Sequence, residues 1–535
     1  MPSSSSPPPS PPPSPPAPPP SSAPPKIFIA CQGTRGDVQP YCNLAVALKE
    51  RGWSCAVGAP SEFEVRKRPC LLQKIPTHVN NNNTNTQKTQ KFIIEGHALE
   101  FVDIGPSPTT AQYEAAVSES SQQRYTLTRP LAAYAAAKEL YNPKDKPPFS
   151  LPWFRSIAAT CRTFQPDILM LVFTSWCGAA VIPALLGLHT RVVVSYPMPL
   201  APTGEFCVPM AGTGHSLGFS WLNRLQWQVS ERMIVLKIHL KAAKRNIELF
   251  IAEEQAAGRG VAVPSVSLDD SISSSGLTTL YAFSPSLLSK PADWPAQYHV
   301  IGQLGGRKTV ATHKPLPPPL QAYLDECRRH SYHVVYIGFG SLGFFPKEKV
   351  TFILDTAAAA VSTIAATHPV RAVIQTTLSS TPGKTGTMSA SSGGGTNITA
   401  PGSTQPAAYM TFSETVDHAA LFAQTSLVVS HGGIGTVSTA LATGKPVLSV
   451  CCLPTADQSF WADVCFRRYL GPSWFWVDAL TEKKLMDGIL DGLGKHFELY
   501  TKNAESLAKQ MAKERAEQAA IEVLDAEVKS ARKTK

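Results

Sequence analysis

Apolar runs alternate with helical repeats from residue 26 onwards, in the order strand, helix, strand. The sequence KIFIA at 26–30 is apolar after its lysine and predicts a buried strand. Helical spacing follows at Leu44, so we predict a helix over 41–51 that Gly52 ends. A second strand is predicted at 55–58. This opening is typical of a doubly wound parallel sheet.

A second series of strands begins at residues 333–337 with the sequence HVVYI. Further apolar runs at 371–375, 427–430 and 447–452 predict three more strands. Strands that are apolar throughout indicate a parallel sheet, because helices cover both of its faces. The predicted fold class is therefore α/β, with two Rossmann-like doubly wound parallel sheets.

The stretch between the two series separates two domains. Residues 302–319 are rich in Gly and Pro and lack periodicity, which is typical of a linker. A chain of 535 residues also exceeds one ordinary core. The predicted organisation is a Pro/Ser tail over 1–25, an N-terminal domain over 26–301, a linker over 302–325, a C-terminal domain over 326–495, and a helix with a basic tail over 496–535.

One uncharged segment, residues 168–188, is long enough to cross a bilayer. It contains a glycine, a proline and several less apolar positions, which a spanning helix disfavours. We interpret it as a buried strand over 168–173, a turn, and a buried helix over 177–186. The next parallel strand is predicted at 191–195.

Composition excludes several functional classes. The net charge is +10, but dense Lys/Arg runs interleaved with aromatic residues are absent, so we do not expect nucleic-acid binding. A basic surface would favour phosphorylated donors, and peripheral contact with anionic membranes stays open. The eleven cysteines lack zinc spacing, and the first 25 residues do not resemble a signal peptide. We therefore expect free thiols and a cytoplasmic location.

The sequence VVSHGGIGT at 428–436 carries most of the candidate chemistry. A strand that turns through glycines into a helix leaves unpaired backbone N–H groups at the positive end of the helix dipole, where phosphate binds. His431 opens this turn and Thr436 closes it, so both can add donors. The acid–amide pair Asp457 and Gln458 suits sugar hydroxyls. Phosphate next to sugar indicates a nucleotide-sugar site.

Two other motifs leave alternatives open. GFGSLG at 338–343 matches the dinucleotide-binding pattern, but the next strand ends without the acidic residue that a nicotinamide site requires. Ser341 and these glycines could instead contact a donor phosphate. GHSLG at 214–218 matches the nucleophile elbow of hydrolases at Ser216, although a strand-like run does not precede it.

Two single residues also have structural and functional readings. Asp37, in GTRGDVQP at 33–40, is predicted at a helix N-terminus, where aspartate is a common cap. A capping aspartate can still act as a general base if it faces a cleft. His418 precedes an apolar helix start, which is an ordinary place for a surface or capping histidine.

Taken together, these motifs resemble the glycosyltransferases of the sterol 3-beta-glucosyltransferase and glycopeptide-antibiotic glycosyltransferase type, within the UDP-glycosyltransferase superfamily. The resemblance covers residues 26–494 and includes GTRGDVQP, YPMPLAPTGEF, HAALF, HGGIGT and DQSFWAD. It implies the GT-B fold, in which two Rossmann-like domains face each other across a cleft and the C-terminal domain holds the nucleotide sugar.

The resemblance also implies residue roles. Asp37 would be the catalytic base, His418 would lie near uracil, and the turn that begins at His431 would hold the diphosphate. The implied donor-binding set is Gly36, Ser341, His418, His431, Gly432, Gly433, Gly435, Thr436, Asp457 and Gln458.

The implied function is a metal-independent, inverting transfer of a hexose, as glucose from UDP-glucose, to a hydroxyl of a lipophilic acceptor such as a sterol. No cofactor is expected, because the UDP-sugar is a co-substrate. The competing classes are an NAD(P)-dependent oxidoreductase, a catalytically inactive GT-B binding module, and a serine hydrolase.

The chain departs from the sterol branch of this family at three places. Ser430 replaces the first histidine of a His-His-Gly-Gly sequence. Residues 375–377, Gln-Thr-Thr, replace a turn that contains tryptophan, and Asp417 replaces a proline. All three lie near the predicted donor pocket.

Overall fold

The described part of the chain, in a computed structural model, forms two sheets of seven strands, each covered by helices on both faces. We call the two halves the N-terminal lobe and the C-terminal lobe. The predicted α/β class with two doubly wound parallel sheets is confirmed. The structure describes residues 23–33, 35–60, 99–104, 148, 150–209, 214–230, 239–261, 276–305, 314–340, 347–376, 389–390, 405–413, 416–453 and 456–533.

The N-terminal lobe contains the first sheet. Its strands are β1 (Lys26–Cys31), β2 (Ser54–Ala59), β3 (Glu100–Asp103), β4 (Ile168–Val172), β5 (Arg191–Tyr196), β6 (Thr278–Tyr281) and β7 (Tyr298–Val300). Their order is β3-β2-β1-β4-β5-β6-β7, and paired strands run parallel. The chain leaves β1 towards one edge and returns at β4 towards the other. The topological switch point, where ligands bind in such sheets, therefore lies between β1 and β4.

Five helices belong to the described part of this half of the chain. They are α1 (Arg35–Glu50), α2 (Leu151–Phe164), α3 (Ile182–Leu185), α4 (Ser220–Ser230) and α5 (Leu240–Ala256).

The C-terminal lobe repeats the arrangement. Its strands are β8 (His333–Gly338), β9 (Val370–Gln375), β10 (Ser389–Ala390), β11 (Tyr409–Phe412), β12 (Leu427–Ser430), β13 (Val447–Cys451) and β14 (Phe475–Trp476). Their order is β10-β11-β9-β8-β12-β13-β14, and the edge strand β10 runs antiparallel to β11. The switch point of this sheet lies between β8 and β12.

The helices of the second half include one that returns to the first lobe. They are α6 (Pro318–Arg329), α7 (Lys347–Ala365), α8 (His418–Phe422), α9 (Ile434–Ala442), α10 (Gln458–Arg467), α11 (Glu482–Leu493), α12 (Phe497–Met511) and α13 (Ala516–Lys533). Helix α13 packs against α1, β4 and β5 of the N-terminal lobe. The last helix of the chain therefore ties the two lobes together.

The first helix begins earlier than its apolar spacing suggests. We predicted 41–51, but α1 begins at Arg35 and contains Pro40. Val38 is fully buried and lies on the same helix face as Tyr41 and Ala45, so the buried face extends one turn further towards the N-terminus. The residues of the GTRGD motif are polar or glycine, so apolar periodicity does not indicate this first helical turn.

The predicted buried helix over 177–186 is wrong. The segment forms two short 3₁₀ turns, Thr174–Cys177 and Ala179–Val181, followed by the four-residue helix α3. Gly178 has a φ of 84° and Pro183 lacks an amide hydrogen, so both interrupt a longer helix. None of the helices described is both long enough and apolar enough to span a membrane.

The interlobe role of α13 can be tested at its buried face. Leu524 is fully buried in the core that α13 shares with the N-terminal lobe. We expect Leu524→Ala to lower the free energy of unfolding by about 2–5 kcal/mol, because it leaves a cavity in a packed interface. Urea denaturation followed by circular dichroism measures this change. The matched control is Lys529→Ala on the exposed face, and equal stabilities for both variants would contradict the assignment.

Candidate functional site

The loops after β8 and β12 meet at the switch point of the C-terminal lobe. A Cβ atom at Gly340, in the first loop, would lie 2.6 Å from Cε1 of His431, in the second loop. A Cβ atom at Gly433 would lie 2.4 Å from Nε2 of the same ring. The imidazole of His431 is therefore seated between two glycines, and a larger residue at either position would displace it. This close approach explains the glycine at position 340 of GFGSLG and the glycine at position 433 of HGGIGT.

The His431 side chain is half-buried, in an unusual electrostatic setting. Its Nδ1 is buried and lacks a hydrogen-bond partner within the described protein. Burial, together with a smaller effect of the nearby His418, lowers the pKa of His431 to about 4. The ring is therefore neutral at physiological pH. A neutral imidazole carries one N–H donor, which an anionic ligand could accept.

The glycine turn leads directly into α9. Gly432 has a φ of 84°, and its N–H donates to Ser430 Oγ at 3.2 Å. Gly433 is the N-cap residue, and no side chain caps this helix end. The first amide groups of α9, at Ile434 and Gly435, therefore point out of the helix N-terminus, where the dipole is positive. Thr436 follows in the same turn and is half-buried.

Asp457 and Gln458 lie at the start of α10, after β13. Asp457 Oδ2 accepts a hydrogen bond from Trp461 Nε1 at 2.7 Å. Gln458 Oε1 accepts backbone hydrogen bonds from Cys452 at 2.7 Å and Leu453 at 2.9 Å. One oxygen of each side chain is thus used to hold its orientation. Among the described residues, Asp457 Oδ1 and the Gln458 amide nitrogen have no such contact, and these are the atoms that could reach a ligand.

Burial also changes the ionisation of Asp457. Loss of solvation is the main cause that raises its pKa to about 7; the Trp461 hydrogen bond opposes the shift, and the negative charge of Asp37 contributes to it. Asp457 therefore titrates near neutral pH.

Asp37 lies at the switch point of the N-terminal lobe, in the first turn of α1. Its carboxyl group is next to Gly33, where a Cβ atom would lie 2.3 Å from Asp37 Oδ2. Because Asp37 raises the pKa of Asp457, the two carboxyl groups are close enough to interact across the interlobe gap. Gly36 is exposed in the same helical turn. The side chain of Asp37 is half-buried.

The surroundings of His418 account for two of the departures from the family pattern. Asp417 caps α8, since its Oδ1 accepts from Ala419 N–H at 3.1 Å and Ala420 N–H at 3.4 Å. His418 is therefore not the cap; its ring stacks on Phe422 with centroids 5.1 Å apart. Gln375 Oε1 lies 3.2 Å from His418 Nε2 and 2.5 Å from the Tyr336 hydroxyl. Asp417 and Gln375 thus both fix the wall around His418.

A seam between the lobes holds α10 in place. The backbone N–H of His215 donates to Asp463 Oδ2 at 2.8 Å, and Arg467 Nε donates to the same oxygen at 2.7 Å. The rings of Phe206 and Phe460 meet edge to face, with centroids 5.4 Å apart. The helix that carries Asp457 is therefore anchored to the opposite lobe. The sequence does carry a signal for this seam, the pair Asp463 and Arg467 spaced four residues apart. The sequence analysis did not identify it.

The nucleophile-elbow motif has a structural role. Ser216 Oγ accepts from the Gly218 N–H at 3.1 Å and from Asn223 Nδ2 at 3.1 Å. These contacts fix the loop that leads into α4, and a strand does not precede it among the described residues. The hydrolase alternative is not supported by this geometry.

Eight of the predicted donor-side residues are thus brought together at the carboxyl edge of the second sheet. Ser341 lies outside the described residues. Gly36 belongs to the opposite lobe. One of the eight follows β11, five follow β12 and two follow β13: His418; His431, Gly432, Gly433, Gly435 and Thr436; Asp457 and Gln458.

Most of the relatives by sequence are named as sterol glucosyltransferases. The chain is 26% identical over 517 residues to the sterol 3-beta-glucosyltransferase UGT80A2 of Arabidopsis thaliana, covering 92% of this chain and 64% of that protein. It is 26% identical over 487 residues to the sterol 3-beta-glucosyltransferase UGT80B1 of the same plant, covering 87% and 62%. The chain therefore spans less than two thirds of the length of these two relatives. No family model matches it.

Solved structures agree on the fold. The glycosyltransferase VinC in complex with DTDP matches with a TM-score of 0.54 at 14% identity, over 94% of this chain and all of that one. The glycotransferase of kitacinnamycin matches with a TM-score of 0.56 at 13% identity, over 94% and 99%. The resemblance drawn from the motifs is confirmed: the chain is similar to sterol 3-beta-glucosyltransferases over most of its length, and it has the fold of GT-B glycosyltransferases.

Proposed function

We propose that this protein is an inverting glycosyltransferase that moves a hexose from a nucleotide sugar to a hydroxyl of a lipophilic acceptor. The observation that supports the proposal is that Asp37, at the switch point of one lobe, is close enough to Asp457 in the other lobe to contribute to its raised pKa, beside the uncapped N-terminus of α9. In this arrangement Asp37 would be the proton acceptor, and the helix N-terminus would hold the anionic leaving group. Glucose from UDP-glucose and a sterol are the proposed substrates, on the strength of the named relatives.

The diphosphate of the donor would lie on the N-terminus of α9. Outward amide groups and the helix dipole favour negative charge there. The neutral His431 ring adds an N–H donor without a charge of its own. These groups would stabilise the charge that develops on the leaving diphosphate, which is the step that metal ions assist in other transferases. We therefore propose a reaction that needs neither a metal nor a cofactor.

The sugar would lie between the turn and the start of α10. Asp457 Oδ1 and the Gln458 amide nitrogen remain available for its hydroxyls. A partly protonated Asp457 also suits this position, because a neutral carboxyl can donate a hydrogen bond and does not repel the diphosphate. His418, beside Gln375 and Tyr336, would form part of the pocket wall next to the nucleobase of the donor.

Asp37 would remove the proton from the acceptor hydroxyl. The oxygen would then attack the anomeric carbon from the face opposite the diphosphate, which inverts the configuration at that carbon. General-base catalysis of this kind is ordinary for a positioned carboxylate. The oxidoreductase alternative is not supported by the relatives, all of which are named as glycosyltransferases. The cytoplasmic location stays a prediction.

Removal of the base tests the catalytic assignment. We expect Asp37→Asn to lower kcat by about 10²–10⁴-fold, because only the proton acceptor is lost. The affinity for UDP, measured by calorimetry, should stay close to that of the wild type. Glu50→Gln, at the exposed opposite end of α1, is the matched control. Turnover of Asp37→Asn within a few-fold of wild type would exclude this role.

Truncation of the seated imidazole tests the donor cradle. We expect His431→Ala to weaken UDP binding by about 10- to 100-fold, since a hydrogen bond to a charged group contributes about 1.5–3 kcal/mol. Calorimetric titration of UDP measures the effect directly. The control His496→Ala changes a histidine of the surface at the start of α12. Unchanged affinity in the first variant would show that the turn does not bind the diphosphate.

The pH dependence of stability tests the ionisation of Asp457. Its folded pKa, about 7, exceeds the unfolded value of about 4, so the folded state holds its proton more tightly and stability falls as the pH rises between these values. Asp457→Asn lacks this titration. The melting temperature of the variant relative to wild type should therefore increase from about pH 4 to pH 7 and then level off. A constant difference across this range would indicate an ordinary pKa.

A further inference from the structure

Asp457 occupies a position at which an aspartate usually caps a helix, but its side chain is used differently. It is the N-cap residue of α10, and its carboxyl group accepts no hydrogen bond from an amide of that helix. Aspartate is a preferred N-cap residue because its oxygen accepts from the second or third amide of the helix. A buried carboxyl group that leaves this contact unmade requires another donor.

A second aspartate in the same lobe shows the ordinary arrangement. Asp417 is the N-cap residue of α8 and accepts hydrogen bonds from the amides of Ala419 and Ala420. The backbone of Asp417 is extended, with φ and ψ of −72° and 106°, whereas Asp457 has −75° and 3°. The two aspartates therefore have the same position relative to their helices, but their carboxyl groups have different partners.

The partner of Asp457 is the indole of Trp461, one turn further along α10. Trp461 Nε1 donates to Asp457 Oδ2 at 2.7 Å, and both side chains are buried. Residues four apart are neighbours on one side of a helix, so this contact runs along the helix surface. The indole nitrogen is a donor only, which suits it to a carboxyl oxygen. The indole thus binds the oxygen that would otherwise be available to the helix amides.

Packing from both lobes fixes the indole itself. Its ring is fully buried and contacts Phe283 and Phe460, with centroid distances of 5.5 Å and 5.1 Å. Phe283 follows β6 in the N-terminal lobe, and Phe460 is the neighbour of Trp461 in α10. Rings packed at the density of a protein core have little room to change rotamer. The donor that holds Asp457 is therefore rigid.

We propose that Trp461 is a positioning residue for the sugar of the donor. Its indole N–H holds the Asp457 carboxyl group away from the helix amides, in the conformation in which Oδ1 reaches a sugar hydroxyl. Trp461 does not contact the substrate and acts through Asp457. The sugar as ligand rests on the proposed function, whereas the hold of Trp461 on Asp457 does not.

Calorimetric titration with UDP-glucose and with UDP separates this role from general damage to the site. Trp461→Phe keeps a buried aromatic ring and removes the N–H donor. We expect it to weaken UDP-glucose binding by about tenfold, the effect of one lost hydrogen bond to a charged group. UDP affinity should stay at the wild-type value, because UDP lacks the sugar. Equal weakening of both ligands would overturn the proposal.

A double-mutant cycle tests whether Trp461 acts through Asp457. Trp461→Phe should have no further effect on UDP-glucose affinity in a protein that already carries Asp457→Ala. Additive losses would contradict the positioning role. The matched control is Trp227→Phe, which removes another buried indole donor, bonded to the Phe206 carbonyl at 2.8 Å. This control should bind UDP-glucose as the wild type does.

Titration of the wild-type protein by NMR tests the hold without any ligand and without Trp461→Phe. One indole N–H resonance should move with pH as Asp457 ionises, and this movement should be lost in Asp457→Asn. Asp37 is the other charged group that acts on Asp457, so the titration is repeated in Asp37→Asn, where the movement should persist. The same indole spectrum at every pH, or movement that Asp457→Asn retains, would exclude the hold.

These measurements also separate the positioning role from the proposed function. A titrating indole resonance in a wild-type protein that does not bind UDP-glucose would reject the proposed function and the sugar role, and would keep the hold on Asp457. UDP-glucose binding that Trp461→Phe leaves unchanged would reject the positioning role and keep the proposed function.

Discussion

The close approach of two loops around one imidazole is the contact on which the donor side of this protein depends. Gly340 and Gly433 leave room for His431 only because neither has a side chain. The approach is possible because β8 and β12 are neighbours that the chain leaves in opposite directions. Helix α9 then begins at the edge of the same crevice, which brings its amide groups and the ring together. The strand order therefore determines both the position of the His431 ring and the positive end of the α9 dipole beside it.

The N-terminal lobe affects the proposed donor site, because the negative charge of Asp37 acts on Asp457 across the interlobe gap. Asp37 raises the pKa of Asp457, although the two residues are far apart in the chain and belong to different sheets. Their proximity depends on the seam formed by Asp463, Arg467 and the loop at His215, and on the return of α13 to the first lobe. Burial is the main cause of the raised pKa of Asp457, and the assembly of the two lobes adds the charge of Asp37 to that effect.

The departures from the family pattern have local structural explanations. Ser430 accepts the Gly432 N–H, Asp417 caps α8, and Gln375 contacts both Tyr336 and His418. Each replacement is thus integrated into hydrogen bonding around the predicted pocket. None of them disturbs the seat of His431.

The sequence alone determined the two parallel sheets, because continuous apolar strands and glycine turns are local signals that do not depend on distant contacts. It also identified His431, Asp457 and Asp37 as candidates from motif chemistry. Tertiary structure decided the rest: the early start of α1, the broken turns around Gly178, and the seam at Asp463. These features depend on which surfaces pack together, and burial and cross-lobe charge exist only after the chain has folded.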